Sequence, residues 1–73
     1  MQEKIHIGEQ IRKLLAKEGR SITWLAAKLN YERANIYKLL DRQSIDTDLL
    51  SRISIVLEHD FFACYSKYVQ DKM

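Results

Sequence analysis

Residues 22–41, ITWLAAKLNYERANIYKLLD, hold two short amphipathic segments with only Asn30, Tyr31 and Glu32 between them. Leu25, Ala26 and Leu29 make the inner stripe of the first, and Ile36, Leu39 and Leu40 that of the second, both at helical spacing. A connection this short does not let two helices return antiparallel, so they must cross steeply. Such a crossing requires a small side chain at the point of approach, which Ala26 supplies. It requires a residue tolerant of positive φ at the turn, which Asn30 supplies. It also requires apolar anchors that lock the pair to the rest of the chain, and Leu25, Tyr31, Ile36 and Leu39 are expected to fill that role.

Working outward, the flanks also read as helices. Before the pair, Ile7, Ile11, Leu14 and Leu15 form one apolar stripe, Gly19 suits a left-handed stop, and Ser21 suits the next N-cap. After it, Asp46 is placed to cap a fourth helix, with Ile45 and Leu50 spaced as a hydrophobic staple. Leu49, Leu50, Ile53, Val56 and Leu57 give that helix its apolar face. Asp60 is expected to cap a fifth, carrying Phe61, Phe62, Cys64, Tyr65 and Tyr68. The chain has no proline, two glycines, and no alternating β-branched run, so the expected class is all-α with five helices. Its 73 residues allow one domain, spanning 1–73, with a core over about 6–68 and short flexible ends.

Charge is distributed unevenly. Residues 20–44 carry Arg20, Lys28, Arg33, Lys38 and Arg42 against Glu32 and Asp41, a local surplus of +3 within a net charge of +2. The remainder nets −1, with seven basic and eight acidic residues. A basic middle third points toward a polyanion. No stretch approaches the ~20 apolar residues that span a bilayer. The single cysteine, Cys64, makes no intramolecular disulfide, which fits a reduced cytoplasmic compartment, and no partner membrane is expected.

At these residues the chain resembles the phage repressor and Cro-like helix-turn-helix family of transcription regulators, and within it the short stand-alone bacterial regulators. Leu25-Ala26-Ala27-Lys28-Leu29 is similar to the family's second helix, and Ile36 and Leu39 match buried positions of its recognition helix. The likeness continues through residues 44–50 and 57–62 and covers roughly residues 7–62. It implies a compact five-helix, lambda-repressor-like domain that binds double-stranded DNA, regulates transcription as a repressor, and sets its third helix into the major groove. Two positions depart from the pattern. Asn30 stands where glycine is usual, and Glu32 stands where a small hydroxyl or Asp cap is usual, bringing a negative charge near the expected phosphates.

On that resemblance the base-reading positions are Arg33, Ala34, Asn35, Tyr37 and Lys38. Arg33 has the donor fork for guanine, Asn35 the amide for adenine, and Ala34 a methyl for thymine, while Lys38 reaches either a base or a phosphate. Thr23, Lys28, Arg42, Gln43 and Ser44 are expected to contact the DNA backbone. Trp24 is read as packing on its neighbours rather than stacking on a base. His6, His59 and Cys64 lack the paired spacing of a metal site, so no metal or cofactor is expected. The carboxylates Asp46, Asp48 and Asp60 read as helix-start residues, and no nucleophile sits with an organised base, so no catalysis is expected. The aromatic group Phe61, Phe62, Tyr65 and Tyr68 admits two readings: core closure with surface tyrosines, or a homodimer contact on DNA. The alternative function is a protein-interaction module of the same fold, such as an antitoxin or adaptor; an exposed apolar patch on the third helix would favour it.

Overall fold

Three of the five helices begin at a cap side chain that accepts one of their free amides, and that local chemistry sets these boundaries in the computed structural model, which describes residues 4–73. Helix α1 (Ile7–Lys17) starts at His6, whose Nδ1 accepts from the Glu9 amide at 3.1 Å. Helix α2 (Ile22–Leu29) starts at Ser21, whose hydroxyl accepts from Trp24 at 3.0 Å. Helix α4 (Thr47–Leu57) starts at Asp46, whose carboxylate accepts from Leu49 at 2.9 Å. At α5 (Phe62–Lys72) the cap position falls to Phe61, which makes no side-chain bond, and Asp60, expected as the cap, stands one residue earlier, where its carboxylate accepts from the Phe62 amide at 2.9 Å. Helix α3 (Arg33–Leu40) likewise has no capping side chain, Glu32 occupying the cap position without a side-chain bond.

Three helices stop in the same way. The amides of Gly19 and Arg20 bond to the carbonyls of Ala16 and Leu15; those of Asn30 and Tyr31 to Ala27 and Ala26; those of Glu58 and His59 to Ile55 and Ser54. This paired pattern is the Schellman motif, which needs a left-handed residue at its turn. Gly19, Asn30 and Glu58 supply it, at φ +68, +59 and +50. The first two were expected. Glu58 was not, because nothing in a glutamate announces a left-handed turn.

The elements are all helical, and no strand occurs among the described residues. Helix α3 packs on α1 and α2, and α2 packs also on α4. The apolar stripes meet in one cluster that includes Ile7, Ile11, Leu25, Ile36, Ile53 and Phe61. Ala26 is buried, as expected of a close approach. Phe61 closes the core, while Phe62, Cys64 and Tyr65 pack half-buried against it. Helix α5 runs on to Lys72, past residue 68 where the core was expected to end. Of the expected flexible amino-terminal end before residue 6, residues 1–3 lie outside the described residues.

Tyr31 departs from expectation, and Gly8 gains a role. Tyr31, expected as a buried anchor, is exposed: the Schellman turn fixes its backbone and leaves its ring outside, beside the Arg52 guanidinium at 5.7 Å. Gly8 has a positional reason that composition does not disclose. A Cβ there would collide with the Leu40 carbonyl oxygen and lie 2.6 Å from the Leu40 carbonyl carbon. Only glycine lets the first turn of α1 meet the end of α3 so closely, and the Ile7 and Gly8 amides use that approach to bond the carbonyls of Gln43 and Arg42.

Candidate functional site

Helix α3 buries Ile36, Leu39 and Leu40 and leaves the rest of its circumference in solvent. Arg33, Ala34, Asn35, Tyr37 and Lys38 are all exposed, and Tyr37 remains 46% accessible. Its bed is held from both ends. The α1 amides grip the carbonyls just after α3, and Arg12 pairs with Asp41 at 3.0 Å. On the other side, the Arg52 guanidinium of α4 donates to the Leu29 carbonyl at 2.9 Å, at the end of α2. The exposed Arg12–Asp41 pair adds little stability by itself, but it occupies one of the two carboxylates in the basic segment.

The arginines divide by commitment. Arg12 holds Asp41, Arg20 holds Glu18 at 3.4 Å and lies 4.0 Å over the Trp24 ring, and Arg52 holds the Leu29 carbonyl. By contrast, the side chains of Arg33 and Arg42, together with those of Asn35 and Lys38, have no partner among the described residues. Uncommitted donors on an exposed helix are available to a ligand without first breaking an internal contact.

Not all the expected site residues fall together. Asn35, Lys38 and Arg42 line one shallow depression of about 270 Å³ between α3 and the start of α4, with Tyr31, Leu39, Asp46 and Leu49 completing its walls. Gln43 and Ser44 line a different depression, with Lys4, Ile5, Tyr65 and Tyr68. Thr23 and Lys28 are exposed on α2, where the Lys28 ammonium lies 5.8 Å from the Trp24 ring centre. Trp24 itself is half-buried and packed against the core, as expected. Tyr31 and Arg52 escaped sequence reasoning: Tyr31 because its apolar ring was counted as core, Arg52 because its partner lies 23 residues away.

The residues considered for metal binding are used otherwise. His6 caps α1, the His59 ring meets the Phe61 ring edge-on at 4.6 Å, and the Cys64 thiol donates to the Phe61 carbonyl at 3.0 Å. Burial pushes the Cys64 thiol above its ordinary pKa and raises Tyr65 as well. Among the described residues no group of three or more His, Cys, Asp or Glu gathers in space, and no helix is long and apolar enough to cross a membrane.

No family model, curated protein or solved structure is significantly similar to this chain.

Proposed function

We propose that this protein is a sequence-specific double-stranded DNA-binding regulator of the helix-turn-helix type, with α2 and α3 as the two helices and α3 as the one that enters the major groove. It acts as a repressor in the simplest case, by occupying its site, and binds DNA as a homodimer. One observation carries the reading: the arginines outside the α3 region are engaged internally, whereas Arg33, Asn35, Lys38 and Arg42 stand exposed and uncommitted around an eight-residue helix. Guanidinium, ammonium and amide side chains on an exposed helix supply the donors that base edges and phosphates of a duplex accept. The large apolar side chains exposed on and beside this face, Tyr31 and Tyr37, both end in a hydroxyl, which suits a polar ligand better than an aliphatic patch would. A single small module gives limited affinity, and twofold pairing on a duplex is the usual remedy.

The test compares Arg33→Ala with Lys28→Ala. A preferred duplex is first selected from a random pool, and affinity is then measured over a range of salt concentrations. Arg33→Ala is expected to weaken the preferred site by about 1–3 kcal/mol and to relax preference at one base pair. Lys28→Ala is expected to weaken all duplexes alike and to reduce the slope of log affinity against log salt by about 0.9. If both substitutions act equally on all sequences, Arg33 touches phosphate rather than a base. If neither changes DNA binding, the surface serves a protein partner instead.

A further inference from the structure

The exposed side chains of α3 separate into two stripes. At about 100° per residue, Arg33, Ala34 and Tyr37 share one arc, while Asn35 and Lys38 share the next, in line with Arg42 just beyond the helix end. Only the second stripe faces the depression between α3 and α4, and there it meets Tyr31. The depression thus gathers an ammonium, a guanidinium, a carboxamide and a phenol, all of them donors. Its one acidic wall, Asp46, is engaged at the N-terminus of α4, where its carboxylate holds the Leu49 amide.

Tyr31 is the unexpected member. Its amide is fixed by the Ala26 carbonyl, and its ring lies beside a guanidinium that is itself anchored on the Leu29 carbonyl. Its hydroxyl makes no hydrogen bond among the described residues. A large ring on a turn is therefore held in place with its polar end free. A tetrahedral oxyanion suits such a set: two cations supply charge, and the phenol and amide supply directed donors.

We infer that Tyr31, Asn35, Lys38 and Arg42 form a seat for one backbone phosphate of the duplex, with Arg52 as the residue that positions Tyr31. This rests on the DNA-binding reading and refines it: base reading falls to Arg33, Ala34 and Tyr37, and the neighbouring stripe fixes register on the backbone. Asn35 and Lys38 then carry no base preference.

The experiment uses the whole protein and the selected duplex, in a set of versions that each replace one phosphate with an uncharged methylphosphonate. Tyr31→Phe removes only the hydroxyl and leaves the ring beside Arg52. It is expected to weaken all duplexes about three- to tenfold with an unchanged salt slope, because the group lost is neutral. Lys38→Ala and Arg42→Ala are expected to lower the slope by about 0.9 in all, because both cations serve the same phosphate. All three penalties should vanish on the same single methylphosphonate duplex. Arg52→Lys should weaken binding in the wild-type background and add nothing to Tyr31→Phe, a non-additivity that a purely structural role for Arg52 would not produce. If the penalties of Lys38→Ala or an Asn35→Ala variant depend on one base pair, or vanish on different methylphosphonates, the seat does not exist and the residues act separately. Binding by the wild type with no response to any of these variants also overturns the seat while leaving the DNA reading standing. Failure of the wild type to bind any duplex overturns both.

Discussion

Glu58 pays a conformational cost that Asn30 and Gly19 largely avoid. All three hold positive φ at a helix stop, but a glutamate has neither the missing Cβ of glycine nor the local hydrogen bonding of asparagine. Glu58 is exposed, so its side chain contributes no core packing. Glu58→Gly is accordingly expected to stabilise the fold by about 0.5–1 kcal/mol, the relief of strain exceeding the added freedom of the unfolded chain. Urea unfolding measures this, and a loss of stability would mean that the Glu58 side chain holds something of value. Gly8 gives the opposite case. A methyl group there meets the backbone of Leu40 and the Arg42 carbonyl oxygen, the latter at 2.8 Å, and backbone cannot rotate aside as a side chain can. Gly8→Ala is expected to destabilise by about 3 kcal/mol through overpacking. An unchanged melting temperature would show that α1 does not approach α3 as described.

At the scale of the element, what sequence discloses depends on how local the cause is. Ser21, Asp46 and Asp60 act on amides two or three residues ahead, so their positions foretell the starts of α2, α4 and α5. Asn30 foretells the turn before α3 for the same reason. Arg52 acts on Leu29 across 23 residues, and Gly8 acts on Leu40, so neither leaves a trace in its own neighbourhood. Tyr31 was misplaced because an aromatic beside a helix end reads as an anchor, whereas the turn chemistry sets its direction. The exposed face of α3 was legible from helical spacing, whereas the depression beside it was not, since it forms only when α3 and α4 are brought together. Helix α5 carries a consequence for pH. The Cys64 thiol is raised above its ordinary 9.0 by burial in the folded state, so the unfolded chain loses that proton first. Its contribution is therefore complete below the unfolded value and declines as pH rises through 9.0 toward the folded one. Tyr65 acts in the same direction from 10.0. Cys64→Ser keeps a donor for the Phe61 carbonyl and removes the titration. Compared by urea unfolding from neutral pH to about pH 10, the variant should lose less stability than the wild type. A parallel decline of both would remove Cys64 as a cause.

The whole molecule is longer than a sphere of its size, with extents of 38 × 23 × 23 Å and a radius of gyration of 12.4 Å, against about 11 Å for an evenly compact chain of this length. The apolar cluster takes its buried residues from helices α1 to α4, from Ile45 and from Phe61, and α5 contributes none. Val69 and Met73 are largely exposed, so the last turn of α5 gains little from the core. Stability should be graded accordingly, because segments with few buried contacts open without global unfolding. Native-state hydrogen exchange is expected to show the amides of Ile36, Leu39, Leu40 and Ile53 exchanging only through global unfolding, while those of Val69, Gln70 and Lys72 exchange orders of magnitude faster. This gradient matters for the proposed function. Helix α3 packs on both α1 and α2, so its backbone is set before any duplex arrives, and the ordering cost left for binding is that of its uncommitted side chains. Protection as strong at Gln70 as at Leu39 would show α5 covered by another surface, and a second copy of the chain would be the first occupant to test, by measuring exchange over a range of protein concentrations. Fast exchange at Ile36 would instead place the α3 backbone among the mobile parts, and DNA binding would then have to include the ordering of that helix, with a correspondingly lower affinity.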